Sequence, residues 1–492
     1  MKPGIKSRMD FMMKRMLRGA SPAALLVCCM IAPGLAQTIV PAPAKPPVPA
    51  VTVPAPVLTP SQITPGPAAP APMPAQPAAP PVAPVPPPPP RLDRLSSLGT
   101  KPDWSKLQSF HQLLTRSEFE AAMRDVYSDS SVFPPPWKVE NDGVVILTGD
   151  PAKPEVRVGF SNRSESSLPG ARTWRRAAEM PPLKDRLPLS DVHIAIDPGH
   201  IGGSFAIMEE RHLSFAPGES IQEGDLSLLA AQVLAERLKA LGAYVSLVRE
   251  NNNPVTDRRP GDLADAARQI LAEAGFPKPD ENYNNLTGDA KILTVQWQSE
   301  KLFYRVSEIH ARAKKVNETI KPDVVLCLHY NAEAWGDATK PQFSPANHMH
   351  VLVNGCYSSL ELEQQDVRFE MFYRLFSRIH AEELPLAEAV ADGLRASTSL
   401  PAYVYTTPNA RHVGSNAYIY ARNLLANRVY QCPVVYLEPF VMNNEETYRR
   451  LLQGHFIGRT LIAGRLQTSA VEDYVRGIVS GVLAYYQKNR PK

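Results

Sequence analysis

The chain has 492 residues, 44% apolar and 21% charged, which is ordinary for a globular protein and excludes disorder throughout. Its 50 prolines are the anomaly, and 22 of them fall within residues 41–90, so the excess belongs to a linker and not to a fold. The net charge of +4 is also local: six basic side chains against Asp10 in residues 1–36 leave the remainder at −1, which gives no case for nucleic acid or an anionic membrane as a partner.

In chain order, a basic stretch ending at Arg18 precedes the apolar run AALLVCCMIA at 23–32. Gly34-Leu35-Ala36 then supplies small residues before a cut at Gln37. This is the pattern of a secretory signal over 1–36, and it predicts a periplasmic, secreted or cell-wall protein. The alternatives are a retained anchor and a lipoprotein at Cys28, the latter opposed by Val27, which is larger than the residue a lipobox wants there. The run is too short to span a bilayer comfortably, and no later stretch is long and apolar enough to do so, so no transmembrane segment is expected after cleavage. Cleavage leaves Cys327, Cys356 and Cys432, an odd set with apolar neighbours, which reads as buried free thiols.

Residues 37–90 are rich in Pro, Ala and Val, with Lys45 as their one charge. They predict an extended tether that at ~3.1 Å per residue reaches on the order of 150 Å. Residues 91–190 read as a small α+β module of unknown role, with a helix over 117–127 capped by Ser117 and strands at 144–147 and 156–160. From 191 the pattern changes. Strands at 192–196, 243–248, 324–328 and 434–437 alternate with helices, the clearest of them at 226–241 and ended by Gly242. Such alternation predicts a three-layer α/β/α domain over 191–492 with a mostly parallel central sheet. Residues 254–303 and 335–349 interrupt the rhythm as insertions.

Three polar groups sit at the ends of three of these strands: Asp197-Pro-Gly-His200, His329-Tyr-Asn331 and Glu438-Pro-Phe. Parallel sheets gather ligands at the carboxyl ends of their strands. Two histidines and a carboxylate converging there suit a catalytic Zn²⁺ with an open position for water. The same residues also read blandly, as turn histidines and a loop carboxylate. His348-Met-His350 puts two imidazoles on one strand face, as a second metal site or as a loop-edge pair.

The stretch Ile194-Ala-Ile-Asp-Pro-Gly-His-Ile-Gly-Gly203 resembles the opening motif of the zinc-dependent N-acetylmuramoyl-L-alanine amidases. Glu223-Gly-Asp225 with its following helix, Asp323-Val-Val-Leu-Cys-Leu-His-Tyr-Asn-Ala332, and Pro433-Val-Val-Tyr-Leu-Glu-Pro-Phe-Val-Met-Asn443 resemble that family's later segments, in order, across about 190–487. The resemblance implies Zn²⁺ held by His200, Glu223 and His329, with Glu438 as the catalytic acid and base. Glu219 rivals Glu223 as the acidic ligand, because the gap after His200 is long and Ile201 interrupts the usual Gly-Gly. The implied substrate is peptidoglycan, cut between N-acetylmuramic acid and L-alanine, and a protein activator is compatible with such a hydrolase. A zinc peptidase of cell-wall peptides and a non-catalytic peptidoglycan-binding protein are the alternatives. Asp197 is expected to hold the second ring nitrogen of His200 or to cap a turn. Asn331 and Arg422 are expected near the site or the substrate, Arg422 alongside Arg411-His412 as a contact for peptide carboxylates.

Overall fold

In a computed structural model, residues 91–129, 132, 134–163, 172–334 and 340–492 are described. The signal segment 1–36, the proline-rich segment 37–90 and residues 335–339 of the second insertion lie outside the described residues.

Strands β1 (Trp137–Val139), β2 (Gly143–Leu147) and β3 (Glu155–Gly159) form a three-stranded antiparallel sheet, preceded by helix α1 (Arg116–Ala122). The helix cap is Thr115, not Ser117. Two capping boxes overlap here, and Thr115 with Glu118 is the pair that closes. Glu118 also binds Arg378 at 2.8 Å, which favours that frame. Trp104, Phe110, Phe119 and Val144 belong to the same apolar core as the strands that follow.

Strand β4 (His193–Pro198) opens the large sheet. The hairpin β5 (His212–Ala216) and β6 (Glu219–Gln222) leads into helix α2 (Glu223–Ala240) and then β7 (Tyr244–Leu247). The first insertion is helical, with α3 (Ala264–Glu273) and α4 (Val295–Lys301) packed on their own apolar cluster. Helix α5 (Glu308–Lys314) precedes β8 (Val324–Leu328), which is followed by β9 (Met349–Val353), α6 (Gln365–Phe376) and α7 (Ile379–Thr398). The short strands β10 (Arg411–His412) and β11 (Ile419–Ala421), then β12 (Val434–Pro439) and α8 (Ala470–Asn489), complete the layers.

The seven-stranded sheet has the order β10-β11-β9-β12-β8-β4-β7, and it is mixed α/β and mostly parallel, as expected. Its antiparallel pairs are β12 with β9 and β10 with β11. Side chains alternate across the sheet, so Ile194, Ile196, Leu326, Val351 and Leu437 pack toward α2, α7 and α8. Ala195, Val325, Cys327, Leu352 and Tyr436 pack on the other face with Ala313 and Val316. Both faces are covered, which is why the strands read as continuous apolar runs. Cys327, Cys356 and Cys432 are buried and unpaired. No helix among the described residues is long and apolar enough to cross a membrane.

One buried ion pair fixes where β12 starts. Arg374 of α6 meets Glu383 of α7 at 2.6 Å, both side chains 1% exposed. Arg374 donates to the carbonyl of Tyr430, and Glu383 accepts from the amide of Val434. Removing one member leaves the other charge buried and unpaired. Glu383→Gln is expected to lower unfolding stability by ~3 kcal/mol, read from urea denaturation of wild type and variant in parallel.

Candidate metal centre

Four sequence segments deliver polar groups to the carboxyl ends of β4, β8 and β12. Chain direction reverses sharply after β4, and His200 takes a left-handed backbone with φ of 57°. A residue with a Cβ holds that conformation only when its surroundings fix it. Two buried groups do so. The Arg312 guanidinium donates to the carbonyls of Pro198 (2.8 Å) and His200 (2.8 Å) while binding Asp197 (2.9 Å) and Glu308 (2.7 Å). The Glu209 carboxylate accepts from the amides of Ile201 and Gly202 at 2.9–3.0 Å. Gly199 is required by proximity: a Cβ there would lie 2.3 Å from the His329 ring.

His200, Glu223 and His329 come together. One ligand atom from each lies within 4.8 Å of the others, and this is the one such group among the described residues. Glu223 stands between the rings, with Oε2 3.1 Å from His200 Nε2 and Oε1 3.1 Å from His329 Nδ1. The Tyr330 amide donates to Glu223 Oε1, and the His329 ring stacks on Tyr436 at 4.5 Å between centroids. Glu219 is elsewhere: it is exposed on β6, and its carbonyl accepts the Tyr448 hydroxyl.

The set fits a catalytic zinc ion. Two imidazoles and one carboxylate are a known three-ligand complement. Bonds of ~2.0–2.2 Å in a tetrahedron put ligand atoms roughly 3.3–3.5 Å apart, a spacing this cluster accommodates. Burial works against the charge of Glu223, but His200 and hydrogen bonds from both imidazoles hold its carboxyl well below the usual range. Burial likewise opposes a charged His200, and Glu223 and Glu209 outweigh it and raise its pKa. At His329 burial wins and the pKa falls.

Asp197 does not reach the His200 ring. Its carboxylate takes Arg312 and the Tyr430 hydroxyl (2.5 Å), so it supports the His200 turn through Arg312. The group beside His200 Nδ1 is Glu209, 3.6 Å away and 1% exposed. Such a carboxylate behind a ligating imidazole fixes its ring orientation. Arg211 Nε lies 3.0 Å from Glu223 Oε2. The sequence assigns no role to Glu209, Arg211 or Arg312, although Arg312 opens the segment Arg312-Ala-Lys-Lys-Val-Asn317 ahead of β8 and Glu209 lies in the acidic gap after His200, because their contacts form only in the fold.

Glu438 lies on β12, which pairs with β8 on one side and β9 on the other. Burial and the neighbouring Glu223 push its carboxyl well above the usual range, against the pull of Arg211 and Arg422. Asn331 uses its side-chain oxygen to accept from Ala332, and its Nδ2 is buried without a partner. Arg422 donates to the Tyr405 hydroxyl at 3.3 Å. Arg411 donates to the carbonyl of Arg124, and His412 is exposed on the sheet edge. His348 pairs with Glu333 at 2.8 Å, and its ring lies 6.5 Å from that of His350, so these two histidines join no three-ligand group.

Among solved structures, this chain is similar to the apo form of the N-acetylmuramyl-L-alanine amidase Ami1 from Mycobacterium abscessus, at 15% identity and a TM-score of 0.31, over 60% of this chain and 99% of that one. The CwlD amidase from Clostridioides difficile, solved with the GerS lipoprotein, matches at 13% identity and a TM-score of 0.33, over 61% and 100%. The amidase AmiC2 of Nostoc punctiforme matches at 14% and 0.32, over 61% and 99%. No family model matches the chain, and no curated protein matches it in sequence. At TM-scores this low the likenesses carry no argument about activity, which rests on the chain's own residues.

Glu209→Gln is expected to weaken Zn²⁺ binding tenfold to a hundredfold while leaving the fold intact, since it loosens the ring behind the ligand atom. Gly199→Ala is expected to weaken it further, because the new methyl displaces His329 itself. Competition against a chromophoric chelator measures both, and unchanged affinity in both variants would contradict this placement of the centre.

Proposed function

We propose that the chain is a zinc-dependent N-acetylmuramoyl-L-alanine amidase acting on peptidoglycan outside the cytoplasm. The observation that carries this reading is the His200–Glu223–His329 cluster, its ligand atoms within 4.8 Å, with Glu438 on the strand next to the one ending at His329. The resemblance of the four segments to the amidase motifs supplies the substrate.

His200, Glu223 and His329 would hold the ion. A zinc ion there supplies Lewis acidity, lowering the pKa of water and polarising an amide carbonyl. Glu438 takes a proton from the attacking water and returns it to the departing amine, so one water adds across the amide and a carboxylic acid and an amine result. Burial and Glu223 raise the Glu438 carboxyl above the ordinary range, which makes it a stronger proton acceptor than a solvated carboxylate. Arg211 faces Glu223 and Glu438 and offsets their mutual repulsion. Tyr436 and Gly199 keep the His329 ring in place, and Glu209 does the same for His200.

The test separates ion holding from proton transfer. Glu438→Gln is expected to retain Zn²⁺ and lose ~10²–10⁴-fold in amide hydrolysis. Glu223→Gln is expected to shed the ion. Zinc content and mass analysis of digested peptidoglycan are read for both. Release of whole stem peptides supports the amidase. Fragments that keep L-alanine on the glycan indicate a peptidase, and full activity in both variants removes the enzyme reading.

A further inference from the structure

On the far side of Glu438 from the histidine cluster lies a second polar arrangement that the proposed hydrolysis does not use. Glu438 and His350 are directly opposite partners in the antiparallel β12–β9 pair, so both side chains stand on the same face of the sheet, the face of Tyr436 and Leu352. Directly opposite residues have Cβ atoms ~4.5–5.5 Å apart. His350 Nε2 lies 3.1 Å from the Tyr405 hydroxyl, and Arg422 Nη1 lies 3.3 Å from the same oxygen. The guanidinium also sits over the Tyr405 ring, 5.6 Å from its centroid.

The donors in this chain can be counted. Arginine only donates, so the Tyr405 oxygen accepts from Arg422. The assignment that leaves no hydroxyl proton stranded has Tyr405 donating to His350 Nε2, which places the imidazole proton on Nδ1. That atom has no partner, although His350 is only 5% exposed. Arg422, half-buried, meets no carboxylate within ion-pair distance among the described residues. The arrangement thus ends in an unpartnered buried donor at one end and, at the other, a guanidinium that acts on Glu438 from a distance and bonds no carboxylate directly. A buried donor left unpaired costs free energy, and a ligand acceptor removes that cost. Tyr403 closes the wall, its ring 5.2 Å from His350 and 4.8 Å from Tyr405.

We propose that Arg422, Tyr405 and His350 form a subsite for a carboxylate of the peptide portion of the substrate, held one side chain away from Glu438. Arg422 supplies the charge, and His350 and Tyr405 supply orientation. Because the subsite lies beside the proton-transferring carboxyl, it selects peptides by an acidic side chain near the amide being cleaved. This inference rests on the hydrolase reading for its place in a reaction, but its ligand chemistry is tested by binding alone.

The probes are acetyl-Ala-Glu-amide and acetyl-Ala-Gln-amide, which differ by one charge, titrated calorimetrically against the full chain. Wild type is expected to bind the glutamate peptide at least tenfold more tightly. Arg422→Gln is expected to abolish that preference, and Arg422→Lys to keep part of it. Tyr405→Phe retains the guanidinium but cuts its link to His350, and is expected to lose about threefold to tenfold for the glutamate peptide alone. Equal affinity of wild type for the two peptides, or an unchanged preference in Arg422→Gln, overturns the subsite. Thermal melting checks that each variant folds, and Tyr405→Phe decides the matter if Arg422→Gln does not. Amide hydrolysis of peptidoglycan is measured separately. Discrimination without hydrolysis keeps the subsite and removes the hydrolase, whereas hydrolysis without discrimination does the reverse.

Discussion

The Arg312 guanidinium is the interaction on which the centre depends. It is 4% exposed, and it spends its donors on two carboxylates and two carbonyls. The carbonyls belong to Pro198 and His200, at the point where β4 ends and the backbone turns left-handed. Without a fixed cation there, two carbonyls and Asp197 would face one another in a dry interior. An arginine suits the place better than a lysine, since its planar fork meets several acceptors at once and stays charged when buried. Glu308 balances the remaining charge from one turn earlier on α5. The strand end, the turn and the helix behind it are therefore one electrostatic unit, and His200 is its half-buried tip.

Much of this was legible in the sequence, for identifiable reasons. The strands at 192–196, 324–328 and 434–437 are runs of branched apolar residues that stop at a polar group, and those polar groups are His200, His329 and Glu438 once the turns are counted. Helix α2 begins at Glu223, three residues earlier than its apolar periodicity alone indicates. Its first turn is acidic and faces the centre, so it carries no apolar signal. The role expected of Asp197 falls to Glu209, because strand alternation aims Asp197 at Arg312 and Tyr430 while the left-handed turn swings the His200 ring away. Arg312 and Asp197 are 115 residues apart, and no local pattern announces such a pair.

The two sides of Glu438 differ in kind. Toward β8 the groups are of the sort that could hold an ion, two imidazoles bridged by a carboxylate. Toward β9 they are donors with spare capacity, a guanidinium, a phenol and an imidazole in series. The antiparallel insertion of β9 next to β12 creates this second side, because it brings His350 across from Glu438. A parallel neighbour in that position would have set a different register and a different face.

The segment between β4 and α2 shows how a run of charge acquires structure. Glu209, Glu210 and Arg211 are consecutive in the long gap between His200 and Glu223. In the fold they point three ways. Glu209 turns inward to the amides behind His200, and Arg211 reaches Glu223. Glu210, with φ of 57°, turns outward to Lys291 (3.2 Å) and Lys301 (2.8 Å) of the helical insertion. Lys301 is itself packed against Trp297 and Tyr304, and burial brings its pKa down to about 7. The lysine is thus held in place by aromatic rings, and Glu210 favours its charged form against burial. Pulling on Glu210 from outside constrains the residues on either side of it, which are the two that contact His200 and Glu223. The insertion that breaks the strand–helix rhythm over 254–303 is tied to the geometry of the centre in two ways: through Glu210, whose neighbours face the opposite direction, and through Ile201, which follows His200 and packs in the insertion's own apolar cluster.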